Sequence, residues 1–173
     1  MQAEQMYLPA STGIEGRNPH GLPATMDVLA VHRLPQSAIQ IRPLYGVKQG
    51  SPFRYGSAFS RAMVIEEPSS KLILVSGTAS IDEYGNSIFI GDPAAQIQQS
   101  LNVVLELAAS EGATPQDLCE STIFLKHKED FPVYQEVIKQ MGITESPSVC
   151  VLADICRDEL LFELDAAFIL KKD

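Results

Sequence analysis

The stretch GDPAAQIQQSLNVVLELAASEG, residues 91–112, contains the start, the buried face and the end of one helix. Asp92 stands where an N-cap belongs and Pro93 fills the first helical position, where its missing N–H costs nothing. Ile97, Leu101, Val104, Leu105 and Ala108 recur at helical spacing, and Gly112 provides the stop. The helix therefore has one apolar stripe, which needs a sheet to cover it.

Working outward, the flanking runs supply that sheet. Upstream, RAMVIEE (61–67) and KLILVSGTAS (71–80) read as strands, and the turn DEYGNS (82–87) is expected to close a hairpin onto SIFI (87–90). Downstream, Thr114-Pro115 opens a short turn and CESTIFLK (119–126) is the next strand. A second helix follows, with Asp130 as its expected cap, Pro132 in its first turn, a stripe of Val133, Tyr134, Val137, Ile138 and Met141, and Gly142 at its end. SVCVLADI (148–155) and LLFELDAAFIL (160–170) complete the sheet. In the last strand, alternation places Leu160, Phe162, Leu164, Ala166 and Phe168 on one face, and Leu161, Glu163, Asp165 and Ala167 on the other. The first face is core; parity alone reads the second as a solvated or intersubunit face.

Residues 1–57 differ in character. They hold six of the eleven prolines and turn signals such as GRNPHGLP, so helices are not expected there. MDVLAVHRL (26–34) and AIQIRPL (38–44) are spaced for a hairpin, with Pro43 restricting the second run to an edge or a strand end. The expected organisation is an N-terminal extension over 1–57 and an α+β domain over 58–173, with two helices packed on a mixed β-sheet. Two helices on one face leave the other uncovered, which predicts a closed homo-oligomer.

Composition narrows the function. Of 173 residues, 45% are hydrophobic, enough for one sizeable core, and the net charge of −9 repels polyanions, which argues against a nucleic-acid partner. No run approaches the roughly 18 apolar residues of a membrane span, and the N-terminus lacks a signal pattern, so the expected location is cytoplasmic. Cys119, Cys150 and Cys156 are odd in number and form no CxxC pair, so they are read as buried free thiols rather than disulfides or zinc ligands. His20, His32 and His127 have no metal-ligand spacing, and no phosphate loop or Ser-His-Asp order is present; neither metal nor cofactor is expected.

The motifs LVSGTASID, GDPAAQIQQSLNVVLELAASEGATPQDL, STIFLKHKEDFPVYQEV and FELDAAFIL, in this order, resemble the Rid family, also called YjgF or endoribonuclease L-PSP, over residues 58–171. The resemblance implies a ferredoxin-like, chorismate-mutase-like fold, a homotrimer, and ligands in clefts between subunits. Family imine deaminases hold a substrate carboxylate with an arginine. Counting back from Glu163 without gaps puts Ser148 at that position, and a hydroxyl cannot replace a guanidinium clamp. Phe59 stands at the position of the family's N-terminal tyrosine, whereas Gly77 and Cys150 match.

YLPASTGIEG (7–16), MDVLAV (26–31), FRYGSAFSRAM (53–63), VSGTASI (75–81) and ADICRDELLFELDA (153–166) are similar to the C-terminal half of chorismatases, which remove pyruvate from chorismate. That resemblance implies Glu163 as general acid, with a pKa raised by partial burial. Arg61, Lys126 and Arg157 are the candidate contacts to an anionic substrate, Arg61 and Lys126 being favoured over Arg54. The implied ligand is a small carboxylate-bearing metabolite. A non-catalytic binding or scaffold trimer and an imine deaminase are the alternatives.

Overall fold

The computed structural model describes residues 7–16, 21–32, 34, 36–46, 48–143 and 146–172. Strands β1 (Gln40–Leu44), β2 (Ala62–Glu66) and β3 (Ser70–Ala79) precede helix α1 (Pro93–Ala109). After it come β4 (Leu118–Leu125), helix α2 (Phe131–Gln140), β5 (Ser148–Leu152) and β6 (Phe162–Lys171). These strands form a mixed six-stranded sheet of order β1-β2-β3-β6-β4-β5, parallel between β4 and β5 and antiparallel elsewhere. No helix among the described residues is long and apolar enough to cross a membrane.

Both helices lie on one face, as their stripes require. The Asp92 carboxylate accepts the Ala95 N–H at 3.0 Å, and Ile97, Leu101, Val104 and Leu107 are buried against Val75, Leu164 and Phe168 in a single cluster. The α2 ring of Tyr134 stacks on Phe162 of β6 with centroids 6.0 Å apart. Asp130 occupies the cap position of α2 without bonding the helix through its side chain, because Lys128–Asp130 already forms a 3₁₀ turn that leads straight into the helix.

Gln96 is a polar residue on the buried face of α1, with no exposed surface. Its Nε2 donates to Glu159 O at 2.9 Å and Phe89 O at 3.2 Å, and its Oε1 accepts the Leu161 N–H at 2.8 Å. A buried amide so satisfied is a clip. It ties the turn ahead of β6 to α1 and sets the point at which β6 enters the sheet.

Two expected pairings form differently. Residues 38–44 do supply a strand, but its partner is β2, with Ile41 opposite Ile65 and Pro43 opposite Met63. β1 is thus an edge strand, where Pro43 is tolerated, while residues 26–32 lie outside any strand; Arg33 and Pro35, in and beside the expected hairpin, are outside the described residues. SIFI makes only the single bridge Ile81–Ser87, because Phe89 takes a left-handed φ of 57° that ends extended structure. At the far edge, Glu111 joins Arg42 of β1 through two bonds of 2.7 and 2.6 Å and Lys71 of β3 at 3.0 Å, fastening the edge strand to the end of α1.

Candidate functional site

β6 lies between β3 and β4, so Glu163 is opposite Ala79 on one side and Phe124 on the other. Parity turns it away from the helices, yet it is only 6% exposed. The cause is a bulge in β3, where the register skips between Val75 and Thr78. The bulge brings Gly77 against the Glu163 side chain, and a Cβ there would overlap Glu163 Oε1. Glycine is required at this position by close approach.

Burial pushes the Glu163 carboxyl up to about 7, helped by the like charge of Asp165 and opposed by Arg61. Asp165, on the same face, accepts the Thr122 N–H at 3.2 Å. Arg61 precedes β2 and is 2% exposed. Its guanidinium lies between the rings of Tyr55 and Phe59, 5.4 and 5.3 Å from their centroids, and donates to the Tyr55 hydroxyl and, at 3.5 Å, to Gly50 O. Burial lowers its pKa. Arg61 forms no ion pair among the described residues, so this buried guanidinium, whose charge reaches the Glu163 carboxyl, has no carboxylate within salt-bridge distance there. Such a cation is costly to bury alone and offers a strong contact to an anionic ligand.

Other expected site residues fall into three places. Phe59 and Gly77 join Glu163 and Arg61 as described. Arg157 donates to Gly85 O at 2.6 Å and Ser87 Oγ at 3.2 Å, pinning the 154–160 loop to the 82–87 turn, on which the Tyr55 ring also rests at Gly85. Lys126 pairs with Asp154 at 2.9 Å and donates to Asp158 O at 3.1 Å, so its charge is already used. Ser148 and Cys150 align through Ser121 and Ile123 with Ala166 and Leu164, which places them on the helix face, opposite to Glu163 within one chain. There the Ser148 hydroxyl bonds those of Ser121 and Ser146 at 2.7 and 2.6 Å. The cavity lined by Leu101, Ile123, Tyr134 and Phe168 is on that same face and is apolar packing, away from the acid.

All three cysteines are free and exposed rather than buried. Cys119 lies near the start of β4 and Cys150 on β5, the edge strand of the sheet, and Cys156 lies in the loop beside Glu163, where its own partial burial raises its thiol pKa.

Three residues of this region were given no role by the sequence. Tyr55 stands inside FRYGSAFSRAM and Thr12 inside YLPASTGIEG, but their contacts to Arg61 and Gly77 form only through tertiary packing, and Gln96 lies within the helix stretch 91–112 outside its apolar stripe. Thr12 Oγ1 accepts the Gly77 N–H at 3.0 Å.

Comparison with known proteins agrees with the fold. The family model described as Endoribonuclease L-PSP matches residues 55–168, a span that includes β2 through most of β6. The chain belongs to the endoribonuclease L-PSP family. A curated relative, 3-aminoacrylate deaminase RutC of Acinetobacter baylyi, is 26% identical over 97 residues, covering 56% of this chain and 77% of its own. Among solved structures, a chorismatase superposes with a TM-score of 0.66 at 18% identity over 75% of this chain, which spans 44% of the chorismatase. A putative endoribonuclease of Thermotoga maritima gives 0.64 at 19% identity, over 76% of this chain and 98% of that one. TdcF of E. coli with bound serine gives 0.62 at 18%, over 75% and 98%. These likenesses show the L-PSP fold, two helices on one mixed sheet.

Proposed function

We propose that this L-PSP-family protein binds a small carboxylate-bearing metabolite at the Glu163–Arg61 site and acts on it as a chorismatase-like hydrolase. The observation that carries the reading is the pairing of a buried carboxyl, held protonated to about pH 7, with a buried guanidinium that lacks an acid partner among the described residues. Arg61 takes the substrate carboxylate, with its fork held by the Tyr55 hydroxyl and with the Phe59 ring 5.3 Å away. Glu163 gives its proton to the terminal carbon of an enol ether, water adds to the resulting oxocarbenium carbon, and the hemiketal collapses. The C–O bond breaks, the ring oxygen leaves protonated, pyruvate is released, and Glu163 regains a proton. A carboxylic acid near pH 7 suits that role. The chorismatase likeness and the serine named in the TdcF structure support a carboxylate ligand by analogy of fold.

The partly exposed apolar row Leu72, Leu74, Val149, Val151 and Ile169 on the face away from the helices supports a homotrimer, with ligand clefts completed between subunits. Three exposed unpaired thiols fit a reducing, cytoplasmic compartment.

The test is incubation with chorismate and an assay for pyruvate, beside Glu163→Gln. Release by the unmutated protein and its loss in the variant support the reading; no release from the unmutated protein removes the hydrolase. A chorismate-induced rise in melting temperature without turnover then supports a non-catalytic binder. The RutC relative favours a second reading, enamine or imine deamination, for which the assay is ammonia release from 2-iminobutyrate. Ser148, bonded only to other hydroxyls among the described residues, offers that reaction no cation.

A further inference from the structure

Residues 7–16 lie upstream of the region matched by the family model, yet they touch the acid's pocket. Along this strap, burial alternates with period two: Leu8, Ala10, Thr12 and Ile14 are turned inward, and Pro9, Ser11, Gly13 and Glu15 outward. Its backbone is fastened at both ends and in the middle. Ser60 Oγ donates to Leu8 O at 2.7 Å and Ser60 N–H to Pro9 O at 2.8 Å. The Ser11 N–H donates to Ser76 Oγ at 3.0 Å, and Glu15 N–H donates to Asp154 O at 3.3 Å.

Thr12 is the polar member of the inward set, and it sits at the bulge. Its hydroxyl accepts the Gly77 N–H at 3.0 Å. Its methyl and Glu163 Oε1 both lie within 2.9 Å of the point that a Cβ on Gly77 would occupy. A backbone amide inside a β-bulge has no ladder partner and must be satisfied by something else. Here the strap satisfies it twice, through Thr12 Oγ1 and, at 3.3 Å, through the Ser11 carbonyl, and in doing so brings the Thr12 methyl up to the carboxyl.

We propose that Thr12 is a positioning residue of the Glu163 site: the strap 8–15 holds its side chain against Gly77, where it walls the carboxyl off from bulk water on the side away from the helices. This deepens the reading of Glu163 as the site's acid and depends on that reading for its functional meaning. The charged and titratable groups around the carboxyl are Asp165 on its own strand, Arg61 ahead of β2 and Cys156 in the loop after β5. None belongs to the strap, so a change at Thr12 alters solvent access without altering charge.

The experiment follows the Glu163 side-chain carboxyl by ¹³C NMR through a pH titration of the full chain, with no ligand added. Thr12→Gly is expected to lower the midpoint by about one pH unit or more as water reaches the carboxyl. Thr12→Val, which keeps the methyl wall and loses the hydroxyl, is expected to hold the midpoint closer to that of the unmutated protein while hydrogen exchange at the Gly77 amide speeds up about tenfold. Pro9→Ala, on the outward side, is expected to move neither. An unmoved midpoint in Thr12→Gly, or an equal shift in Pro9→Ala, overturns the proposal. Because no metabolite is present, failure of the hydrolase reading in the pyruvate assay leaves this result unaffected, and the reverse also holds.

Discussion

Glu163 Oε1 fills the volume that a side chain on Gly77 would need. One residue of β3 thus gives up its Cβ so that one residue of β6 can fold its carboxyl inward. The bulge between Val75 and Thr78 supplies the geometry, and the acid's raised pKa is its chemical consequence.

That coupling predicts a cost for filling the space. Gly77→Ala is expected to destabilise the protein by about 1–3 kcal/mol, the range for overpacking. Adding Glu163→Ala should recover part of it, with a coupling of about 1 kcal/mol in a double-mutant cycle measured by urea unfolding. Strict additivity would show that the two residues do not meet.

The raised pKa also makes stability depend on pH. With a folded value of about 7 against 4.5 when unfolded, the folded protein binds the Glu163 proton more tightly. Its contribution is complete below about pH 4.5 and is lost as pH rises through 7, a difference of about 3 kcal/mol at the alkaline limit. Glu163→Gln, always neutral, is therefore expected to gain about 2–3 kcal/mol relative to the unmutated protein between pH 5 and pH 8.5. Urea denaturation at the two pH values reads this gain directly, and parallel curves would contradict the buried neutral acid.

Glu111 behaves in the opposite sense. Its bonds to Arg42, then Lys71, hold its carboxyl below the usual range, so the stability it adds is present above its unfolded value and is lost as pH falls through the folded one. Arg42 is partly solvated, which limits the pair to about 1 kcal/mol. Glu111→Gln should lose that amount at pH 7 and almost nothing in strong acid, as read from thermal unfolding.

Gln96→Leu tests the clip ahead of β6. The substitution leaves the Leu161 N–H and the Glu159 carbonyl without their partner, at an expected cost of about 2–3 kcal/mol in urea unfolding. Faster hydrogen exchange at Leu161 would localise the loss to the turn that delivers Glu163.

From β2 onward the order of the main strands and helices, the Asp92 cap, the two helix stripes and the split faces of β6 were legible in the chain, because each depends on spacing over a few residues, whereas residues 26–32 and SIFI form no strand. Glu163 could be named in the same way, from its parity and from the motif around it. What the spacing does not contain is the partner of each segment. The run at 38–44 paired with β2 rather than with 26–34, and Lys126 found an ion-pair partner in Asp154. Ser148 and Cys150 went to the helix face because β5 lies parallel to β4 in one register, and parity across a sheet is a property of the register. The acid's character was settled at the longest range. The sequence by itself determined that a glutamate would stand on the second face of β6. Only the tertiary structure decided that it would be dry, because the groups that exclude water, Thr12, Gly77 and Arg61, come from separate segments that meet only when the sheet has formed.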